Sequence, residues 1–312
     1  MTNVFIDGSS GTTGLQIRER LSTRKDIVLI DVPYEERHEE AVRRKAINSA
    51  DIVFLCLPDD AAAVSASLVE NDHTVVIDTS TKHRTAEGWV YGLAELKGQR
   101  EKIKHAKRIA NPGCHATGFI TLVQPLVEAG IIEKDACLQS FSLTGYSGGG
   151  KKMIAEYEGD GRSPLLDAPR MYGLTQNHKH LPEMKAICGL ANDPVFCPIV
   201  ADYFSGMETV VPLFGKDIHG TMDSIKQVYQ NLYQGPVIHF EEGECAEGGF
   251  RSGNALAVRD DLEVRVEGNE DRILLVSRFD NLGKGACGAA IQNMNTVLGI
   301  EETEGLRTGE SL

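Results

Sequence analysis

Strand-length apolar runs alternating with amphipathic stretches open the chain. NVFIDG (3–8) ends in glycine, and Thr12 to about Ser22 sets Leu15 and Leu21 on one side with Arg18, Glu19 and Arg20 on the other. IVLID (27–31), DIVFLCL (51–57) and TVVID (74–78) repeat the strand pattern, separated by a charged helix-like segment (35–48) and an alanine-rich one (59–70). Strands that are apolar almost without a break suit a sheet covered on both faces. Their alternation with helices predicts a doubly wound parallel sheet.

The pattern changes after Ala110. NPGC (111–114) breaks it, and helix-like sequence follows from Thr117 to about Ala129. From residue 137 the segments CLQSFSL, VFCPIVADYF, ETVVPL, PVIHF, NALAVR, LEVRVEG and RILLVSRF read as strands, with one helix-like stretch at 219–234. This predicts a second α+β domain with a large, mostly antiparallel or mixed sheet. The expected boundaries are 1–113 for a dinucleotide-type domain and 114–284 for the second domain. The small-residue helix at about 286–298 leads us to expect 285–312 to dock back on the first domain, with the polar tail after Ile300 fraying.

Composition narrows the function classes. The 312 residues are 41% apolar and 25% charged, ordinary for a soluble globular chain, and no apolar run is long enough to span a bilayer. The N-terminus has no secretory signal pattern, so a cytoplasmic protein is expected. A net charge of −13 argues against nucleic acid or an anionic membrane as partner, while leaving room for a small anionic substrate held by local Arg and Lys. Seven cysteines (56, 114, 137, 188, 197, 245 and 287) form no CxxC pair, so reduced thiols are expected and neither a disulfide framework nor a zinc site.

Gly8-Ser9-Ser10-Gly11-Thr12-Thr13-Gly14 lies between the first strand and the first helix. Its spacing is GxxGxxG, not GxGxxG. Gly8 and Gly11 let the backbone approach a pyrophosphate, Gly14 allows close helix–strand packing, and the anion would sit on the helix N-terminus. The same glycines also suit a turn that binds nothing. Asp31 ends the second strand, where a carboxylate holds the ribose 2′-hydroxyl of NAD and repels the 2′-phosphate of NADP. Arg37 is close enough in sequence to reach that phosphate, so the choice of cofactor stays open.

Among the thiols, position singles out Cys114. Pro112 and Gly113 set it between a turn and a helix, where the dipole and unpaired amides favour a thiolate and can hold an oxyanion. A buried structural cysteine is the alternative. NHKHLPEM (177–184) is the densest ionisable stretch and offers His178, His180 and Glu183. A Cys–His pair would let imidazole act as acid and base near neutral pH. Glu183 would fix the His180 tautomer or bind a substrate group. A metal site lacks a third histidine at zincin spacing, and a solvated loop is the other reading. Lys151, Lys152, Arg162 and Arg170, in and after the run Gly148-Gly149-Gly150, suit an anionic substrate, though such residues often only solvate a surface.

GSSGTTGLQI, DTSTKHR (78–84), NPGCHATG, TGYSGGGKK, NHKHLPEM and NLGKGACGAAIQNMN occur in the order seen in N-acetyl-gamma-glutamyl-phosphate reductases. From residue 8 to about 295 the chain resembles the shorter variety of that family; NPGC alone is shared with aspartate-semialdehyde dehydrogenases. The resemblance implies a Rossmann domain, a second domain like that of glyceraldehyde-3-phosphate dehydrogenase, a homo-oligomer (dimer or tetramer), NADP and a place in arginine biosynthesis. It implies Cys114 as nucleophile and His180 as general acid/base. Gly8, Gly11, Thr12, Gly14, Ser80 and Asn281 would bind cofactor, and Arg84, Lys151, Arg170 and Glu183 would bind an acyl-phosphate substrate. Asp31 sits awkwardly with NADP. Two rivals remain: an aspartate-semialdehyde dehydrogenase, and a non-catalytic nucleotide-sensing regulator.

Overall fold

The structure is a computed structural model and describes residues 1–243 and 248–309; Cys245 lies outside them. The chain forms two units. One comprises Met1–Ala94, Gly98–Pro112 and Ala286–Leu306, the other Glu95–Lys97, Gly113–Gly285 and the residues from Arg307 on.

The first unit begins with β1 (Thr2–Asp7), α1 (Thr12–Leu21), β2 (Ile27–Ile30), α2 (Glu40–Ser49) and β3 (Ile52–Leu55). It continues through α3 (Asp59–Ser67), β4 (Val75–Asp78), β5 (Val90–Tyr91), α4 (Gln99–Lys104) and β6 (Arg108–Ala110). The strands pair in parallel in the order β2-β1-β3-β4-β6-β5. Side chains alternate between the two faces, as strand geometry requires. Val4, Ile6, Phe54 and Ile77 enter one core, while Phe5, Val53, Leu55 and Val76 enter the other. Both faces are covered, which is why these strands carry no polar alternation.

The second unit opens with α5 (Cys114–Glu128), β7 (Gln139–Gly145), α6 (Gly150–Glu158), β8 (Arg170–Met171) and α7 (Leu181–Cys188). Next come β9 (Val195–Ala201), β10 (Met207–Phe214), α8 (Met222–Leu232), β11 (Ile238–Phe240), β12 (Leu262–Asn269) and β13 (Arg272–Phe279). The sheet order is β11-β12-β13-β10-β7-β9-β8, antiparallel except for β11–β12 and β7–β9. The strand expected at NALAVR does not form. Residues 253–258 are turns, with Val258 left-handed at φ 62° and its amide donating to the buried Asp280 carboxylate. That carboxylate takes the amide a strand partner would have used.

α5 is the central element of this unit. It is apolar on all sides, and 12 of its 15 residues are buried. It lies very close to the sheet at Gly118, where a Cβ would stand 2.3 Å from Thr209 Oγ1 of β10 and 3.0 Å from Ser277 Oγ of β13. Ser277 Oγ donates to the Gly118 carbonyl (3.2 Å), and Tyr233 Oη donates to that of Thr121 (2.7 Å).

α9 (Gly288–Leu298) belongs to the first unit, where Ala290, Ile291 and Met294 join the core built on Val4 and Ile6. Its polar residues are buried too, and bonded. Asn293 Nδ2 donates to the Gly92 carbonyl (2.9 Å) and Asn111 Oδ1 (3.1 Å). Asn295 Oδ1 accepts from Arg24 (2.7 Å), and its Nδ2 donates to the carbonyls of Glu302 and Glu304. The segment after Ile300, expected to fray, is therefore held through Leu306 and Arg307, whose amide donates to Asp260 at 2.8 Å. Residues 310–312 lie outside the described residues.

Gly118→Ala should destabilise the protein by about 1–3 kcal/mol through overpacking against β10 and β13. Thermal unfolding measures this, and an unchanged midpoint would mean that α5 can lift from the sheet without cost.

Candidate active site

The chain leaves β6 at Ala110 and turns through Asn111, Pro112 and Gly113 into α5. Gly113 is the extended N-cap (φ −80°, ψ 149°), so Cys114 itself is the first helical residue, earlier than the helix-like sequence suggests. The Gly113 amide donates to Glu183 Oε1 at 2.8 Å, and Glu183 is only 1% exposed. Glu183 sits in the first turn of α7, whose N-cap is His180. One carboxylate thus ties the starts of two helices together. This contact is with the main chain directly before Cys114. Gly285 completes the wall: a Cβ there would lie 2.9 Å from Cys114 Cβ and 3.1 Å from the Asp280 carbonyl.

Three imidazoles gather where α5 and α7 begin. Ring centroids are 5.4 Å apart for His115 and His180, 4.9 Å for His178 and His180, and 5.8 Å for His115 and His178. His115 Nδ1 is 2.7 Å from Ser142 Oγ and its Nε2 is 2.6 Å from Tyr172 Oη. Burial pushes His115 down to about 3, with the charges of His178 and Lys179 adding to it. Burial lowers His178 as well, again with Lys179 contributing. The Tyr172 phenol is raised well above its ordinary value by burial and then by the nearby Cys114 charge. His115 and Tyr172 were missed by sequence reasoning. His115 offered one signal, its place directly after Cys114; Tyr172 offered none. Among the described residues no set of three or more His, Cys, Asp or Glu is placed to hold a metal ion.

In the first unit, Gly8 has φ +90°, and a Cβ there would meet the Cys56 carbonyl at 2.3 Å. A Cβ on Gly14 would meet the Gly8 carbonyl at 2.4 Å. The Gly11 amide closes the turn on Gly8 (3.0 Å), and Gly11 caps α1 with no side-chain bond. The leading amides of α1, Thr12 among them, are thereby left to an anion. A cavity of about 610 Å³ adjoins the loop, lined in part by Asp7, Gly8, Arg18, Asp31, Arg37 and His38. Its size and basic rim fit a nucleotide. Arg18 pairs with Asp31 at 2.5 Å, and the Arg37 guanidinium stacks 3.3 Å from the Tyr34 ring centre.

The remaining expected residues are more scattered. Ser80 follows β4, its amide and hydroxyl both donating to Asp78 (2.9 and 2.7 Å). Arg84 is buried and donates to the carbonyls of Asn111 (3.1 Å) and Thr79 (3.2 Å). In the second unit Asn281 is buried, accepting from the Gly206 amide (2.9 Å) and donating to Ser147 (3.0 Å). Arg170 donates to Tyr157 Oη (3.0 Å), and Lys151 is exposed in the first turn of α6.

Two family models match the chain: the semialdehyde dehydrogenase NAD binding domain over residues 3–106, and the semialdehyde dehydrogenase dimerisation domain over residues 114–281. An N-acetyl-gamma-glutamyl-phosphate reductase of Chelativorans sp. is 44% identical, over 95% of this chain and 97% of its own. That of Mesorhizobium japonicum is 43% identical, over 95% and 99%. Among solved structures, aspartate semialdehyde dehydrogenase II of Vibrio cholerae superposes with a TM-score of 0.70 at 16% identity, over 96% and 98% of the two chains. The aspartate semialdehyde dehydrogenase of Candida albicans, solved with NADP, gives 0.66 at 14%, over 96% and 98%. At such identities the structures share the fold.

The buried imidazole gives a pH dependence. His115 titrates at the ordinary 6.5 when unfolded and at about 3 when folded, so only the unfolded chain takes up the proton between those values. Stability therefore falls as pH drops through that window, by at most about 1.4 kcal/mol per pH unit. Thermal midpoints followed between about pH 7 and pH 4.5 should fall less steeply for His115→Gln; parallel curves would contradict a buried neutral His115.

Proposed function

The chain belongs to the semialdehyde dehydrogenase family, among its N-acetyl-gamma-glutamyl-phosphate reductases, and from that membership we propose that it reduces N-acetyl-L-glutamyl 5-phosphate to N-acetyl-L-glutamate 5-semialdehyde and phosphate through a thioester on Cys114. One observation carries the thioester reading. Cys114 is the first residue of a buried helix whose N-cap amide is fixed by Glu183, three residues from His180.

His180 takes the thiol proton, and the Cys114 thiolate attacks the acyl carbon. The C–S bond forms as the bond to phosphate breaks. The thioester would be reduced by the hydride that a nicotinamide dinucleotide would supply when bound. The amides at the start of α5 hold the oxyanion, and His180 holds or moves a proton at the oxygen of the resulting thiohemiacetal. Breaking the C–S bond frees the aldehyde and the thiolate. Lys151 is open to a substrate anion.

Gly8, Gly11, Thr12 and Gly14 would hold the pyrophosphate. We assign NADP as the preferred cofactor: Arg18 neutralises Asp31, and Arg37 and His38 line the same cavity, so a 2′-phosphate meets net positive charge. In this reading the dinucleotide domain is residues 1–113 with 285–312, the catalytic domain is 114–284, and the enzyme is a cytoplasmic homo-oligomer of arginine biosynthesis.

The reverse reaction in phosphate buffer tests the whole scheme. NADP reduction should occur with N-acetylglutamate 5-semialdehyde and fall about a thousandfold or more in Cys114→Ser. Equal or better turnover of aspartate semialdehyde would overturn the substrate, and an active Cys114→Ser the thioester. Arg18→Ala should raise KM for NADP about tenfold and leave that for NAD nearly unchanged; equal effects on both would overturn the cofactor assignment.

A further inference from the structure

Four polar groups form a hydrogen-bonded chain from the sheet to Tyr172. Thr209 on β10 and Ser142 on β7 face each other in register, with their hydroxyl oxygens 3.1 Å apart. Ser142 Oγ meets His115 Nδ1 at 2.7 Å, and His115 Nε2 meets Tyr172 Oη at 2.6 Å. Thr209, Ser142 and His115 are buried at 0%, 0% and 2% exposure.

The end of this chain fixes its direction. Among the described residues Thr209 Oγ1 bonds only to Ser142, and a buried hydroxyl needs an acceptor for its hydrogen. Thr209 therefore donates to Ser142, and Ser142 donates to His115 Nδ1. A neutral imidazole that accepts at Nδ1 carries its proton on Nε2, which then donates to the Tyr172 oxygen. Burial keeps His115 neutral and Tyr172 protonated at neutral pH. The Tyr172 hydrogen is left over. Among the described residues His115 is the hydrogen-bond partner of Tyr172 Oη, and it fills the oxygen from the donor side.

We propose that Tyr172 donates a hydrogen bond to the acyl oxygen held on Cys114, as a catalytic residue, and that His115 is the positioning residue that aims it. The proposal rests on the thioester reading of Cys114. The oxygen gains negative charge when the carbonyl carbon becomes tetrahedral, so a donor held in place beforehand favours that state over the bound substrate. Tyr172 Oη is bonded to the side chain of the residue that directly follows Cys114, which sets the phenol at the start of α5. The donor chain also turns the phenol away from His115 without any rearrangement during the reaction.

Tyr172→Phe removes only the hydroxyl. It should lower kcat about a hundredfold with little change in KM. The rate of Cys114 alkylation by iodoacetamide should stay the same, because alkylation builds no oxyanion, while the thermal midpoint should fall only by what the lost His115–Tyr172 bond costs. His115→Phe should show the same loss, and His115→Gln should recover part of it by donating from its amide near the Nε2 position. The double variant Tyr172→Phe/His115→Phe should be no slower than Tyr172→Phe alone, since both break one device. A Tyr172→Phe enzyme within about threefold of the parent kcat, or losses that multiply in the double variant, would overturn the proposal. An inactive Cys114→Ser beside a fully active Tyr172→Phe defeats this proposal alone, whereas an active Cys114→Ser defeats the thioester reading beneath it.

Discussion

A buried carboxylate accepting one main-chain amide, Glu183 Oε1 on Gly113, is the bond on which the chemical end of the second unit depends. A carboxylate this deep needs a hydrogen-bond partner in place of water. The amide immediately before a helix is one that secondary structure leaves unpaired. Joining the two answers both needs. It also fixes where α5 begins, and so where the Cys114 side chain leaves the backbone, and it brings the His180 end of α7 to the same place. Gly285 lets the chain close against the far side of Cys114.

Behind that bond lies an unusually polar core. Ser142, Thr209 and Ser277 sit on the face of the sheet that receives α5, with His115 reaching from the helix to meet them. Lys284 is fully buried and bonds both oxygens of Glu95 at 2.8 Å. Such pairs and chains add little net stability over apolar packing, but they permit few alternative arrangements, because each misplacement strands a polar atom away from water. An active site that must hold a thiol, two imidazoles and a phenol in register gains from that restriction.

The first unit solves a different problem. In its glycine loop side chains are excluded by contact: Gly8 by the Cys56 carbonyl and Gly14 by the Gly8 carbonyl. At the outer rim of the cavity the charges lie near solvent. The Arg18–Asp31 pair is 40% and 65% exposed, a setting in which an ion pair contributes little and is easily rearranged by a charged ligand. In the proposed reading the rigid loop would recognise what all dinucleotides share, and the adjustable rim would separate one from another.

The sequence by itself determined the parallel sheet of the first unit, the mixed sheet of the second, and the family. Strand and helix periods are local, and the glycine loop, NPGC and NHKHLPEM are contiguous words whose spacing carries their chemistry. It did not determine the turn at NALAVR, because the Asp280 carboxylate that captures the Val258 amide lies 22 residues away in sequence. Nor did it reveal that the tail after Ile300 is held, since the partners Arg24 and Asp260 come from distant segments. At the active site Cys114 and His180 could be nominated from their neighbours, whereas the part played by Glu183 could not. Its partner is 70 residues earlier in the chain. The same holds for His115 and Tyr172, 57 residues apart, whose meaning lies in a hydrogen-bond direction set by a threonine on another strand. Only the tertiary structure decides such matters, because a donor acquires its acceptor in space, and burial, which makes that pairing obligatory, is a property of the fold.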